Sequence, residues 1–149
     1  ALGYLHDEAK TKKTYPVVNG VRYVVPGDRA RHTADNMIEV HGRDSVTINS
    51  GGEKIFAEEV EAAVKAHPDV YDCVVAGRPS ERWGNEVVAV VRLKDGAQPN
   101  EQALLTDAEH HIARYKLPKA FVFVPAIVRS PAGKADYRWA KQTALDAAR

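Results

Sequence analysis

Residues 42–61 of the 149-residue sequence read GRDSVTINSGGEKIFAEEVE, and this segment decides the predicted fold. A short β-rich run, Val46-Thr47-Ile48, precedes the loop Ser50-Gly51-Gly52. Adjacent glycines allow a backbone path closed to other residues and let a ligand approach the main chain closely. Apolar residues at helical spacing then predict a helix over residues 58–67, which Pro68 ends. The segment therefore predicts a strand, a tight glycine loop and a helix in succession.

The sequence downstream continues the alternation of strands and helices. Runs rich in β-branched and aromatic residues predict strands at 70–76, 86–93 and 120–124. Asn100 is suited to cap a further helix, and an Ala-rich helix is predicted over residues 137–148. The order βαββαβα with short loops predicts a compact α+β domain of about 100 residues, with a three-stranded sheet packed by helices.

The sequence upstream, to about Arg43, predicts strands and turns. Asn19-Gly20 is a strong hairpin signal and precedes a predicted strand at 21–25. Pro26-Gly27-Asp28 predicts a turn, and residues 37–40 a short strand. This β-rich stretch therefore precedes the α+β domain as a separate part of the chain.

Composition excludes several classes of function. Twenty-one basic and 20 acidic residues give a net charge of +1, so no broad field for nucleic acid is expected. No apolar run reaches the roughly 18 residues of a membrane span. We expect Lys10, Lys12 and Lys13 to lie in a solvated loop, and Cys73 to be a buried core thiol. The histidines show no metal-site spacing, so no metal site is predicted.

Two further segments have residue types suited to anionic ligands. In Ser130-Pro131-Ala132-Gly133-Lys134, a lysine on a glycine-containing loop can deliver a compact positive charge to phosphate or carboxylate. In Pro26-Gly27-Asp28, the aspartate could accept hydrogen bonds from sugar hydroxyls. Taken singly, each segment is more simply explained as an ordinary surface lysine or a turn cap.

In this order and spacing, these segments resemble the acyl-CoA synthetases of the adenylate-forming ligase superfamily. Residues 42–61 are similar to the hinge and glycine-loop signature of that family, and further matches lie at Arg82-Trp83-Gly84, residues 115–119 and residues 130–134. The resemblance implies that residues 44–149 are the small mobile C-terminal domain. Residues 1–43 would then be the β-rich end of the large N-terminal adenylation domain.

The resemblance implies an acid-thiol ligase that joins a carboxylic acid to CoA through an acyl-adenylate, with release of AMP and pyrophosphate. Lys134 matches the catalytic lysine, which would contact the carboxylate and phosphate oxygens in the first step. Asp28 matches the aspartate that binds the ribose hydroxyls, and Arg43 matches an arginine that contacts the nucleotide.

For the second step, the resemblance implies that the C-terminal domain rotates about a hinge and closes a different face on the acyl-adenylate. The hinge would lie at Asp44 or Ser45, since the usual Asp or Lys position holds Ser45. The CoA-binding residues implied by the family are Ser50, Gly51, Gly52, Trp83, Tyr115 and Lys119.

The implied substrates are a fatty or related carboxylic acid, ATP with Mg²⁺, and CoA, and the implied partner is the preceding domain. A cytoplasmic enzyme of fatty acid metabolism is expected, and the isolated fragment is expected to be inactive. A peptide-synthetase adenylation subdomain remains an alternative, although no carrier domain follows Lys134. A second alternative is a stand-alone interaction module that self-associates through residues 1–43.

Overall fold

The computed structural model describes residues 2–148, apart from the side chains at positions 41, 42 and 44. The chain forms two compact units, divided between Ser45 and Val46. The division lies close to the sequence signature that begins at Gly42, so most of that signature belongs to the second unit.

The first unit contains one short helix and two hairpins. Its elements are α1 (Glu8–Thr14), β1 (Val17–Val18), β2 (Val21–Arg22), β3 (Asp28–His32) and β4 (Ile38–Arg43). Strands β1 and β2 pair antiparallel, as do β3 and β4. Asn19 and Gly20 both have positive φ, at 52° and 79°, as a type I′ turn requires. The hairpin prediction is therefore confirmed, although β2 ends at Arg22, three residues earlier than predicted.

Helix α1 corrects the prediction of a solvated loop around Lys10, Lys12 and Lys13, which was wrong. The Asp7 side chain caps the helix by accepting a hydrogen bond from the Lys10 N–H at 2.9 Å. Glu8 and Lys12 form an i,i+4 ion pair at 2.8 Å. Both signals are present in the sequence. The helix was missed because α1 has no buried face, so the run of lysines resembled a solvated loop.

The first unit has no core of its own among its described residues. No residue from 2 to 45 with a described side chain is buried. Many of its large apolar side chains are instead more than half exposed: Leu2, Leu5, Val17, Val18, Val21, Val24, Val25, Met37, Ile38 and Val40. Exposed apolar surface of this extent is typical of sites that contact another protein, a membrane or a ligand.

The second unit has the predicted α+β architecture. After a 3₁₀ turn (Asp44–Val46), its elements are β5 (Thr47–Ser50), β6 (Glu53–Phe56), α2 (Ala57–Lys65), β7 (Val70–Ser80), β8 (Gly84–Leu93), α3 (Glu101–Ala108), a 3₁₀ turn (Arg114–Lys116), β9 (Ala120–Phe123) and α4 (Tyr137–Asp146). The three-stranded sheet has the order β7-β8-β9, with β8 antiparallel to β7 and parallel to β9.

Strand β6 is the one described strand of this unit that the sequence analysis did not predict. It pairs antiparallel with β5 over four residue pairs, from Thr47↔Phe56 to Ser50↔Glu53. Only Ile55 of its four residues is buried. The four residues are too few and too polar to show a strand pattern in the sequence, and their strand conformation depends on pairing with β5.

Both faces of the sheet are covered because alternate residues of β7 enter different clusters. Cys73 and Val75 belong to the core that includes α2 and α3 residues, whereas Val74 and Ala76 pack with Ala140 of α4. This alternation follows from the two-residue period of a strand. Cys73 is fully buried, which confirms that prediction, and burial raises the pKa of its thiol well above the usual value.

A buried carboxylate joins α2 to the sheet. Glu61 is only 6% exposed, and its Oε1 accepts a hydrogen bond from the Val75 N–H at 3.0 Å. The Tyr137 hydroxyl donates to Oε2 at 3.5 Å. Burial raises the pKa of Glu61, because loss of water penalises the charged form more than these hydrogen bonds favour it.

The raised pKa of Glu61 predicts a pH dependence of stability. A carboxyl whose folded pKa is raised stabilises the fold fully below its ordinary pKa of 4.5, and this contribution is lost as the pH rises through the folded pKa. We expect the free energy of unfolding of the natural chain to fall relative to that of Glu61→Gln as pH increases above 4.5. Urea denaturation of both proteins from about pH 4 to about pH 8 measures this difference, and parallel curves would contradict it.

Candidate functional site

Lys134 stands at the end of a tight, exposed loop. The Ser130 N–H donates to the Lys134 carbonyl at 2.8 Å, and the Gly133 N–H donates to the Ser130 carbonyl at 2.8 Å. The Lys134 N–H donates to the Ser130 hydroxyl at 3.2 Å. Among the described side chains, the Lys134 ammonium has no hydrogen-bond or ion-pair partner. The loop thus holds the main chain of Lys134 in place and leaves its charge available at the surface.

An arginine beside this loop connects it to the sheet. Arg129 donates from Nε and one terminal nitrogen to the Asp72 carboxylate at 2.8 and 2.7 Å. Its other terminal nitrogen donates to the Gly133 carbonyl at 3.0 Å. Asp72 is near the start of β7, so the ion pair links residues 57 positions apart. Sequence reasoning missed this pair, because no local pattern relates two residues at such a separation.

The predicted glycine loop is the turn of the β5–β6 hairpin. Gly51 and Gly52 both have positive φ, at 59° and 88°, so this is again a turn that favours glycine at both central positions. The two glycines are exposed, whereas Ser50 is only 6% exposed. Of the three predicted CoA-binding residues here, the glycines therefore present main chain to the surface and Ser50 faces the interior.

Trp83 packs directly against the glycine turn. The Gly51 N–H donates to the Trp83 carbonyl at 2.9 Å, and a Cβ at Gly51 would lie 3.0 Å from Cε3 of the indole. The Lys119 ammonium lies 5.7 Å from the centre of a Trp83 ring. The structure therefore brings Gly51, Trp83 and Lys119, three of the predicted CoA-binding residues, into one surface.

Arg82 belongs to the same surface and was not selected from the sequence. Its guanidinium carbon lies 4.7 Å from the centre of a Trp83 ring, within cation–π range. Two cations thus flank one half-buried aromatic ring, an arrangement suited to a ligand with a planar ring and phosphates. The signal was available, since Arg82 adjoins Trp83 in the motif Arg82-Trp83-Gly84.

Tyr115 is separate from the Trp83 surface in its direct contacts. The residue is 48% exposed, and its ring centre lies 5.7 Å from the Lys116 ammonium. Lys116 in turn pairs with Glu59 of α2 at 2.5 Å. Within the described chain, no ring contact joins Tyr115 to Trp83. The role of Tyr115 in binding CoA stays a prediction.

The Lys134 loop and the glycine turn lie at opposite ends of β7. The loop is bound to Asp72 near the start of the strand, and Trp83 follows Ser80 at its end. Asp72 and Ser80 are eight positions apart, which at about 3.3 Å per residue corresponds to roughly 25 Å. The two surfaces are therefore too far apart to contact the same reacting atoms at the same time.

The two predicted nucleotide-binding residues meet in the first unit. Asp28 and Arg43 are register partners of β3 and β4, and Nε of Arg43 lies 3.1 Å from Oδ1 of Asp28. Both side chains remain substantially exposed. A carboxylate exposed at the surface is suited to accept hydrogen bonds from hydroxyl groups.

The predicted hinge residues lie where the two units divide. Asp44 and Ser45 begin the 3₁₀ turn that leads into β5, and the side chain of Asp44 lies outside the described part of the structure. Among the side chains that the structure describes, no three of His, Cys, Asp or Glu form a group that could hold a metal ion. None of the described helices combines the length and apolar character needed to cross a membrane.

Comparison with known proteins agrees with this geometry. Residues 59–134 match the family described as the AMP-binding enzyme C-terminal domain, which is just over half of the chain. The chain therefore belongs to the AMP-binding enzyme C-terminal domain family, and the predicted family is confirmed.

Similar curated proteins are named acyl-CoA ligases. The chain is 67% identical over 145 residues to a medium-chain acyl-CoA ligase of Mycobacterium avium, and 57% identical over 145 residues to a 3-oxocholest-4-en-26-oate–CoA ligase of Rhodococcus rhodochrous. Each alignment covers 97% of this chain and 26% of the relative. The chain thus spans about a quarter of the length of these relatives.

Solved structures show the same fold. The o-succinylbenzoate CoA synthetase of Bacillus subtilis, in complex with its acyl-adenylate intermediate, is 26% identical with a TM-score of 0.81 over 93% of this chain and 28% of that chain. An amide bond synthetase of Marinactinospora thermotolerans is 28% identical with a TM-score of 0.79 over the same shares.

The packing of Trp83 on Gly51 predicts different effects for two alanine substitutions. Gly51→Ala and Gly52→Ala both force alanine into positive φ, which costs of the order of 1–2 kcal/mol. Only Gly51→Ala also places a methyl group against Trp83, since no atom lies within 4 Å of the added Cβ at Gly52. We expect both variants to lower the free energy of unfolding, and only Gly51→Ala to change the Trp83 environment.

Tryptophan fluorescence measures this difference, in a Trp139→Phe background that leaves Trp83 as the sole tryptophan. Equal spectra for Gly51→Ala and the parent chain would contradict the contact between Gly51 and Trp83.

Proposed function

We propose that this chain is the C-terminal part of an ATP-dependent acyl-CoA synthetase and that Lys134 acts in its adenylation step. The observation that carries this proposal is the exposed Lys134 ammonium, held on a fixed loop at the opposite end of β7 from the glycine turn. A small domain with a charged group at one end and an open, aromatic-lined turn at the other is suited to two successive reactions.

In the first reaction, a carboxylate oxygen attacks the α-phosphate of ATP, and pyrophosphate leaves with the electrons of the broken bond. Both reacting groups are anionic, so their approach is opposed by charge repulsion. The Lys134 ammonium would lie between carboxylate and phosphate oxygens and stabilise the charge that gathers there. Asp28 would accept hydrogen bonds from the ribose hydroxyls of the same nucleotide, with Arg43 beside it.

In the second reaction, the thiol of CoA attacks the acyl carbon and AMP leaves. The glycine turn would face the acyl-adenylate in this step, after rotation of the domain about Asp44 or Ser45. Gly51 and Gly52 have no side chains to obstruct the narrow pantetheine arm. Trp83 and Lys119, with Tyr115 nearby in sequence, would hold the nucleotide end of CoA through ring stacking and phosphate contact.

The first unit supports the assignment of residues 1–43 to the end of a larger preceding domain. Its described residues are all at least partly exposed, and its strands present a broad apolar surface. A preceding domain would cover that surface and contribute the pockets for adenine and for the acid. Mg²⁺ would accompany ATP there, held by one or two carboxylates together with the phosphates. A cytoplasmic location is part of the proposal.

A thiol acceptor is favoured by the names of the sequence relatives. Relatives at 67%, 57% and 50% identity are named as CoA ligases for medium-chain acyl groups, medium- and long-chain fatty acids or 3-oxocholest-4-en-26-oate. An amine acceptor is the second candidate, since one structure with the same fold is named an amide bond synthetase. Incubation of the complete enzyme with acid, ATP and either CoA or an amine distinguishes the two.

The proposal predicts that the chain of 149 residues does not form acyl-CoA by itself. The groups on the chain would bind only one side of the substrates, and the reaction needs the preceding domain to hold the acid and ATP. Production of AMP from ATP, in the presence of octanoate and CoA, should stay at the background rate. Steady turnover by the isolated chain would contradict the proposal.

Lys134→Ala in the complete enzyme should separate the two reactions. Loss of a positioned charge should lower the rate of acyl-adenylate formation by roughly a hundredfold or more. Formation of the thioester from supplied acyl-adenylate and CoA should be largely kept. In that step the glycine turn would face the reacting atoms, and Lys134 lies at the opposite end of β7. Pyrophosphate release and thioester formation are measured separately.

Lys141→Ala is the matched control, since Lys141 is an exposed lysine on α4 outside the loop. It should leave both rates unchanged. An equal loss of both rates in Lys134→Ala would contradict the role given to Lys134.

A further inference from the structure

We propose that Arg129 and Asp72 are positioning residues for adenylation, which hold the Lys134 loop in its working place on the domain. This inference rests on the proposed function of Lys134 and extends it to two residues to which the family resemblance gave no role. The argument concerns what fixes the loop to the sheet, since the loop itself is exposed.

Few interactions within the loop itself fix its position on the domain. Residues 128–134 are all exposed, so apolar burial does not fix the tip. The three hydrogen bonds among Ser130, Gly133 and Lys134 determine the shape of the turn but do not attach it to the domain. A correctly shaped turn could still move as a whole, and Lys134 would move with it.

Arg129 supplies the attachment. Its planar guanidinium donates two parallel hydrogen bonds to the Asp72 carboxylate, at 2.8 and 2.7 Å, and a third at 3.0 Å to the Gly133 carbonyl. One side chain thus contacts the sheet and the residue just before Lys134 at the same time. A rigid fork with several donors is specific to arginine, because a lysine ammonium has no fixed plane.

Asp72 is itself held firmly in the strand. The Cys73 N–H donates to its Oδ1 at 2.9 Å, and its side chain is only 16% exposed. The register of β7 with β8 shifts between Val70 and Asp72, which marks an irregularity at this end of the strand. The hydrogen bonds from Arg129 and Cys73 lower the pKa of Asp72 in spite of its burial, so the carboxylate stays charged.

The downstream end of the loop is also fixed, which leaves Arg129 to control the tip. Asp136 caps α4 by accepting hydrogen bonds from the N–H groups of Arg138 and Trp139, each at 3.0 Å. Ala135 and Tyr137 pack against the cluster on the α4 face of the sheet. Without Arg129, the tip from Ser130 to Lys134 would be attached to the domain only at its two ends.

The test uses Arg129→Gln, Arg129→Lys and Asp72→Asn in the complete enzyme, with octanoate, ATP and CoA as the probes. We expect the rate of adenylation to fall by on the order of 10- to 100-fold in Arg129→Gln and Asp72→Asn, because misplacement of a catalytic group by about 1 Å has effects of this size. Arg129→Lys should recover only part of the rate, since it cannot bind Asp72 and Gly133 together. Thioester formation from supplied octanoyl-adenylate should be unchanged.

Arg78→Gln is the matched control. Arg78 donates two hydrogen bonds to Glu86, at 2.8 and 2.6 Å, and a third to the Ala144 carbonyl at 3.1 Å. Like Arg129, Arg78 joins a carboxylate on the sheet to a main-chain carbonyl, and it fixes α4 to the same sheet. It does not contact the Lys134 loop. Arg78→Gln should lower thermal stability without changing the ratio of the two rates.

A double variant decides whether Arg129 acts through Lys134. Arg129→Gln should cause no further loss of adenylation in a Lys134→Ala enzyme, because there is no ammonium left to position. Additive losses, or equal losses of both rates in Arg129→Gln, would overturn this inference alone. Unchanged adenylation in Lys134→Ala by itself would instead overturn the proposed function.

Discussion

The antiparallel pairing of β7 with β8 is the interaction on which both candidate surfaces depend. The pairing runs from Val70↔Leu93 to Ser80↔Gly84, and buried residues on both faces of β7 and β8 hold it between the helices. At one end, Asp72 binds Arg129 of the lysine loop. At the other, the turn between the strands carries Trp83 and supports Gly51. Whatever moves one surface therefore moves the other with it.

This shared support has a consequence for how the domain would serve the two proposed reactions. A rigid sheet cannot bring both ends to one reacting centre, so under the proposed function each step would require the domain to face the substrates differently. The chemistry at each end suits one step only: an ammonium for two anions, and bare main chain beside an aromatic ring for a long, narrow thiol ligand. Under the proposed function, one small domain would therefore contribute to both steps, with a different end of β7 used in each and no internal rearrangement.

Local chemistry made much of this fold predictable from the sequence. Asn19-Gly20 and Gly51-Gly52 determine their own turns, and Asn100 caps α3 by accepting from the Ala103 N–H at 3.1 Å. Helix α1 was missed because its signals are a single cap and one ion pair. The pair of Asp72 and Arg129 could not be predicted, since only the folded sheet brings residues 57 positions apart together. The resemblance selected Lys134, but it gave no indication of what holds its loop.

The length of β7 also limits how this domain can vary. Side chains alternate between the faces of a strand, so one residue added or removed between Asp72 and Ser80 would direct Asp72 to the opposite face. Arg129 would then have no carboxylate within reach. Residues added or removed in the turn that follows Ser80 would not change the face to which Asp72 points. Hybrid enzymes assembled from different relatives should therefore have their junctions outside this interval, so that strand and loop come from a single parent.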